Sequence, residues 1–305
     1  MIDQKLIFLI LVVLIALIVI GFVISNEPKS KTEEVTIQPY KAALQPIITT
    51  VPANQFGGPL PFIYGEVAGV GHTWTISDPH YSFSDRIGDD VTSITVKNVG
   101  FVSELDFDGQ NLESISFPDL QAVNDLGIYE MDNLTSINFM NLKVVGDSLD
   151  IYECLLLTSI SLSSLISSDD IDIYDCPLIT TISLSKLADV TRIDIYDNDL
   201  LESVNFSQLS LVRDSIDVYD NASLTTLSFP NLKKIANNLN FSGNALTEAS
   251  VDGILDTLAK LDGTNNTTEW INTVDLSGGT NSVPSAAGLA SIVIIEGRGG
   301  TVATN

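Results

Sequence analysis

The chain has 305 residues, of which 39 are Asp or Glu and 14 are Lys or Arg, so its formal net charge is −25 at pH 7. An acidic surface of this size repels phosphate backbones and anionic headgroups, which excludes nucleic acid as an expected partner. The two cysteines, Cys154 and Cys176, are too few for a disulfide framework and lack the paired spacing of a zinc site.

An uncharged apolar run, residues 6–23, lies near the start of the chain and reads LIFLILVVLIALIVIGFV. At about 1.5 Å per residue, a helix of this length can cross a bilayer. We therefore expect residues 1–25 to be a transmembrane anchor and the C-terminal domain to be external. A cleaved signal peptide is the alternative, although its apolar core usually has about 7–15 residues. Lysines flank the run on both sides, so the expected orientation follows its likeness to a signal anchor.

Residues 26–90 contain many prolines and glycines, which interrupt every patterned run. Proline removes backbone donors and glycine loosens the chain, so the composition predicts an irregular stalk that leads into an N-terminal cap. The aromatic residues Tyr64, Trp74 and Tyr81 are candidates to cover the first coil of the region that follows.

Residues 91–243 repeat a segment of about 22 residues, the signature of a solenoid. Six copies align, and they begin at Leu112, Leu134, Leu157, Ile179, Leu201 and Leu224. A degenerate earlier copy begins at Val91. Each copy contains two strand-like pieces in which apolar and polar residues alternate, as in half-buried strands. The sequence therefore predicts a mainly β fold, a β-solenoid of seven coils with two strands per coil.

Residues 244–305 lack the repeat and predict a small α/β capping unit that closes the open end of the solenoid. Its expected elements are a helix over Ala249–Leu261 capped by Thr247, a strand Thr273–Leu276, a second helix from Pro284 and a strand Thr301–Thr304. We assign this unit no binding role.

The second strand of each coil and the residues after it match the pattern LxLxx(N/C)xL of leucine-rich repeats. Examples are LDIYECLL from Leu149, IDIYDCPL from Ile171 and IDIYDNDL from Ile193. With L-x-S-I before this piece, the coils resemble the receptor L-domain and BspA-like branches. Residues 244–305 resemble the caps of secreted bacterial repeat proteins and of phage or other virion-associated proteins. The resemblance covers residues 91–305 and implies the fold, while repeats of this kind serve many binding tasks.

The resemblance also implies a place for the cysteines. Cys154 and Cys176 share a column with Asn198, Asn221 and Asn244, where the family's side chain points inward and bonds to the backbone. Buried free thiols are therefore expected. Adjacent coils bring the two Cα atoms near disulfide range, so a bridge between coils is the alternative.

The outward positions of the second strand form what we call the tyrosine–aspartate stripe. Its members are Tyr129, Tyr152, Tyr174, Tyr196, Tyr219, Asp150, Asp172, Asp194 and Asp217. A further acidic column runs beside it and contains Glu130, Glu153, Asp175, Asp197 and Asp220. Duplication and the strand preference of tyrosine explain such columns without any ligand. Yet stacked like charges repel, and tyrosines offer large contact area, so the stripe is the candidate binding face.

The expected function is a membrane-anchored, surface-displayed recognition or adhesion protein whose partner is a protein or glycan on a cell surface. The alternative is a virion structural protein, a spike or vertex-associated protein in contact with other virion proteins. A polysaccharide-acting enzyme ranks third, because the sequence contains no nucleophile elbow, phosphate loop or histidine-based site. We name no catalytic residue and expect no cofactor, and without a calcium-loop motif we expect no metal site.

Overall fold

A computed structural model describes residues 100–109, 111–261 and 273–305, together with the backbone of five strands between residues 32 and 97. These residues belong to one unit, Thr32–Asn305. In the described residues no helix combines the length and apolarity needed to cross a membrane. The predicted anchor, residues 1–25, lies outside the described residues, so it stays a prediction.

The predicted β-solenoid is present, and each coil contains one short and one long strand. The short strands are β5 (Ser93–Lys97), β7 (Ser114–Ser116), β9 (Ser136–Asn138), β12 (Ser159–Ser161), β14 (Thr181–Ser183), β16 (Ser203–Asn205) and β19 (Thr226–Ser228). The long strands are β6 (Phe101–Asp108), β8 (Ala122–Tyr129), β10 with β11 (Val144–Val145, Ser148–Tyr152), β13 (Ser167–Tyr174), β15 (Asp189–Tyr196), β17 with β18 (Leu211–Val212, Ile216–Tyr219) and β20 with β21 (Lys234–Ile235, Leu239–Asn240). The solenoid makes about 6 turns, where the sequence predicts seven coils.

The coils stack in parallel, and equivalent residues pair without slippage. Ile151 pairs with Ile173, Ile173 with Ile195 and Ile195 with Val218. Because the side-chain period of a strand is two, this register sends one set of residues inward in every coil. Columns of Leu, Ile, Val and Phe fill the interior, and Phe117, Phe139 and Phe206 are fully buried. Burial of such side chains stabilises the stack by roughly 1.5–3 kcal/mol each.

The valine column of the interior is interrupted at Ser168, as the sequence indicates, and this serine is buried. Its hydroxyl donates to the carbonyl of Asp170 at 2.8 Å, which satisfies the polar group inside the coil. On the short-strand side the hydrogen-bonded sheet ends at β12, and a separate sheet begins at β14. The partly buried Ile160 lies in β12, beside this break.

Four strands precede the solenoid in a region for which the sequence predicts irregular structure. They are β1 (Thr32–Pro39), β2 (Gly65–Gly69), β3 (His72–Ile76) and β4 (His80–Ser82). β1 pairs antiparallel with β2 and parallel with β5, β2 pairs antiparallel with β3, and β4 pairs parallel with β6. β1 alternates valine and isoleucine with polar residues, a strand signal that the surrounding prolines obscure.

The capping unit contains the predicted elements in the predicted order. Helix α1 (Glu248–Ala259) begins at its N-cap Thr247, whose hydroxyl accepts from the amide of Ser250. Strands β22 (Thr273–Leu276) and β23 (Thr301–Thr304) have the predicted bounds and extend the long-strand sheet past β21. Helix α2 (Ala286–Glu296) begins at its N-cap Ser285, one residue after Pro284.

Candidate functional site

The tyrosines of the stripe stack into a continuous ladder across five coils. Each pairs with its equivalent in the next coil. Their ring centroids are 4.7–5.1 Å apart and their ring planes differ by 3–8°. The strand spacing of about 4.8 Å imposes this separation, because identical residues lie directly above one another. The sequence prediction of a stacked tyrosine column is therefore confirmed.

Stacking decides which parts of the rings a partner can reach. Each interior ring has both faces covered by its neighbours, so only the ring edges and phenol hydroxyls of Tyr152, Tyr174 and Tyr196 face solvent. Burial and neighbouring charges raise the pKa of Tyr174 and Tyr219 to about 12. The hydroxyls are therefore protonated at neutral pH. The ladder presents a row of hydrogen-bonding groups, and its three interior rings leave no open aromatic face for a sugar or a cation to stack on.

The aspartates form a second ladder beside the rings. Asp150 pairs with Asp172, Asp172 with Asp194 and Asp194 with Asp217. All are half-buried, and burial is the main cause that raises the pKa of each carboxyl, to about 7 in Asp194. Their mutual repulsion acts in the same direction. Each of these carboxyls therefore takes up its proton at a higher pH than an exposed aspartate does.

One basic side chain lies inside this acidic column. The guanidinium of Arg192 contacts Asp194 at 2.5 Å, and both Asp170 and Asp172 at 3.2 Å. It bridges two coils, since Asp170 and Asp172 lie in the coil before it and Asp194 in its own strand. The neighbouring guanidinium lowers the pKa of Asp172 and Asp194 and offsets part of the effect of burial. The repeat pattern does not predict this network, because Arg192 occupies a position that is not basic in any other coil.

The outer acidic column lies at the turn that follows each long strand, and its residues are exposed. The backbone there is in the left-handed region, with φ between 51° and 54° at Glu130, Glu153, Asp175, Asp197 and Asp220. This conformation is unfavourable for residues with a Cβ. At the ends of the array the same position is glycine, in Gly109, Gly243 and Gly278.

Exposed leucines border the stripe on the side of this turn. Leu155, Leu156 and Leu200 expose 51%, 44% and 46% of their surface. They follow the inward Cys or Asn position of their coils. The face therefore combines phenol hydroxyls, carboxylates and exposed leucines.

The cysteines are buried and unbridged, as the resemblance implies. In the later coils each asparagine side chain donates to two backbone carbonyls; Asn198, for example, donates to those of Ile173 and Tyr196 at 3.0 and 2.9 Å. The thiol of Cys154 donates to the equivalent carbonyl of Tyr152 at 3.4 Å. Hydrogen bonding to the Cys154 thiol and burial raise the pKa of Cys176, and the hydrogen bond with Cys176 lowers that of Cys154. Both buried thiols occupy the position that asparagine fills in the later coils.

No group of three or more His, Cys, Asp or Glu side chains in the described part of the chain could hold a metal ion. Comparison with known proteins finds no family model, no curated protein and no solved structure that matches the chain. Its relation to leucine-rich repeats therefore stays a prediction that rests on the motif.

Proposed function

We propose that this chain is a membrane-anchored, surface-displayed recognition or adhesion protein that binds its partner through the tyrosine–aspartate stripe. The observation that carries the proposal is the ladder of five stacked tyrosines beside half-buried carboxylates. Stacked rings are rigid, so few side-chain rotors lose freedom on binding. The anchor is supported by the apolar run at residues 6–23, which lies outside the described residues.

The exposed chemistry favours a protein partner over a glycan. Proteins commonly bind sugars by stacking them on an open aromatic face, and the interior faces of this ladder are covered by neighbouring rings. A protein with basic side chains complements the carboxylates and can accept hydrogen bonds from the phenols. The leucine rim at Leu155, Leu156 and Leu200 adds the apolar contact that such interfaces use.

The test uses beads that carry the full chain and a panel of bacterial and eukaryotic cells. Protease treatment of the cells should remove adhesion if the partner is a protein, while periodate oxidation of glycans should leave it intact. The double variant Tyr174→Ser/Tyr196→Ser should lose adhesion. Tyr174→Phe/Tyr196→Phe should weaken it as well, because this variant keeps the stack and removes only hydroxyls.

The matched control changes the opposite face of the same coils. Ser161→Ala/Ser183→Ala removes two hydroxyls from the short strands of these coils and should leave adhesion unchanged. Circular dichroism of each variant separates loss of the surface from loss of the fold. Adhesion by the folded serine variant at the unmodified level would refute a role for the stripe.

A further inference from the structure

The C-terminal helix α2 exposes an apolar side that nothing in the described residues covers. Its inner side consists of Gly288, Ser291 and Ile295, which are buried against the cap. Its outer side consists of Ala286, Ala287, Leu289, Ala290, Val293 and Ile294, all of them exposed. Leu289 exposes 54% of its surface, Val293 70% and Ile294 45%. An exposed helix face without a polar residue marks an interaction surface.

The helix is fixed in this orientation and cannot turn its apolar side inward. Asp252 of α1 accepts hydrogen bonds from the backbone amide and the hydroxyl of Ser285 at the start of α2. A Cβ on Gly288 would lie 2.2 Å from a carboxylate oxygen of Asp252, so the two helices are in close contact. After the helix, the guanidinium of Arg298 donates to the carbonyls of Ala259 and Leu261 at 2.9 and 2.6 Å.

Charge singles out this end of the molecule. Residues 273–305 contain two acidic and one basic side chain, whereas residues 100–261 contain twenty-six acidic and seven basic ones. Two copies of the chain repel one another over most of their surface. At the outer side of α2 they can approach with little electrostatic cost.

We propose that a second copy of this chain docks on the outer side of α2 with its own α2, antiparallel across a two-fold axis. A two-fold contact requires a self-complementary surface. The outer side of α2 meets this requirement because it is apolar and combines small with large side chains. Ala286, Ala287 and Ala290 allow the backbones to approach, while Leu289 and Val293 fill the grooves of the facing helix.

The direction of the pairing follows from the one charge at the end of the helix. In the antiparallel arrangement, Glu296 lies near the N-terminus of the facing α2, where the helix dipole favours a carboxylate. In a parallel arrangement, Glu296 would face its own equivalent. The helix has 11 residues, so the interface is small, below about 1,200 Å², and we expect a weak, concentration-dependent dimer.

The test traps the dimer through the centre of the surface in the full chain, in a non-ionic detergent. A290C should form a covalent dimer under mild oxidation at least about tenfold faster than S163C, because antiparallel helices bring the two thiols together. Ser163 is an exposed solenoid residue and serves as the control. The native Cys154 and Cys176 are buried and do not contribute.

A second variant keeps the proposal independent of thiol chemistry. Val293→Asp changes a mostly exposed side chain, so the fold should remain, and sedimentation velocity should show the loss of the dimer. Added salt should strengthen the association of the unmodified chain, because it screens the repulsion between two acidic bodies. Equal cross-linking rates of A290C and S163C, or a dimer unaffected by Val293→Asp, would overturn the proposal. So would a monomer in which the A290C thiol reacts with maleimide more slowly than the S163C thiol, because another segment of the same chain would then cover the helix.

Discussion

The middle coils of the solenoid and the coils at its ends make the same turn with different residues. Five middle coils place Glu or Asp in the left-handed conformation, while Gly109, Gly243 and Gly278 fill this position at the ends. The left-handed region costs about 1–2 kcal/mol for a residue with a Cβ, so glycine is the residue that the backbone favours. The carboxylates are therefore not needed to make the turn, and they also repel one another. These carboxylates are present only in the five coils that carry the stacked tyrosines, where they lie on the outer surface.

The middle coils and the end coils nevertheless share the asparagine ladder of the interior. Breaking this ladder should cause the largest loss of stability. Asn221 donates to the carbonyls of Ile195 and Tyr219 and accepts from the amide of Asn198, at 2.9–3.1 Å. Asn221→Ala leaves three buried polar groups without these bonds, which should cost about 3–5 kcal/mol. Urea unfolding measures the loss. The control is Asn205→Ala, which removes an exposed side chain and should cost less than about 1 kcal/mol; equal losses would contradict the structural role of the ladder.

The next largest effect should come from removing the cation of the middle coils. Arg192→Gln leaves Asp170, Asp172 and Asp194 without their shared guanidinium and should cost about 1–3 kcal/mol at pH 7, discounted for the partial exposure of the network. The loss should shrink at pH 5, where the aspartates take up protons. Arg213→Gln is the matched control, because Arg213 pairs with the single carboxylate of Asp189. A loss that is no larger than that of the control would show that the network does not stabilise the stripe.

The aspartate ladder should also make the protein more stable in mild acid. Burial raises the pKa of Asp150, Asp172, Asp194 and Asp217, so the folded chain binds protons more tightly than the unfolded chain. Stability is therefore gained as the pH falls from about 7, the pKa of Asp194, towards about 4, and it is lost as the pH rises again. Melting temperatures at pH 5 and pH 8 should differ by about 5 °C in favour of pH 5. Asp150→Asn/Asp217→Asn should flatten this dependence, and a melting temperature that rises with pH in the unmodified chain would contradict it.

The repeated part of the fold was predictable because period and alternation are local properties of the sequence. A step of about 22 residues and the alternation around Ile151 or Ile195 determine which side chains point inward, and identical neighbours then determine the tyrosine ladder. The bounds of β22 and β23 follow from the same alternation. The start of α1 follows from the capping residue Thr247, and the start of α2 from Pro284, which directly precedes its N-cap Ser285.

What the sequence did not predict depends on contacts between coils or on backbone angles. The sequence around Glu130 does not indicate a backbone in the left-handed region, since glutamate rarely adopts that conformation. Arg192 bridges carboxylates that belong to two different coils, and only the stacking brings them together. Apolar residues lie on all sides of α2, so its sequence cannot distinguish the buried Ile295 from the exposed Val293.

The smallest expected effect is a gain in stability from a substitution in the left-handed turn. Asp197→Asn keeps the size of the side chain, tolerates the left-handed region better and removes a charge that repels Asp175 and Asp220. Burial, followed by this repulsion, raises the pKa of Asp197. We expect a gain of about 0.5–1 kcal/mol, seen as a melting temperature about 2–3 °C higher. Asp199→Asn removes the same charge from an exposed residue in the next turn, outside the left-handed position, and should change stability less. The opposite change tests the same turn from the glycine side: a Cβ on Gly243 would lie 1.9 Å from a carboxylate oxygen of Asp220, so Gly243→Ala should destabilise. If Asp197→Asn and Asp199→Asn raise stability equally, charge alone opposes the middle coils; if only Asp197→Asn does, the strained turn contributes as well.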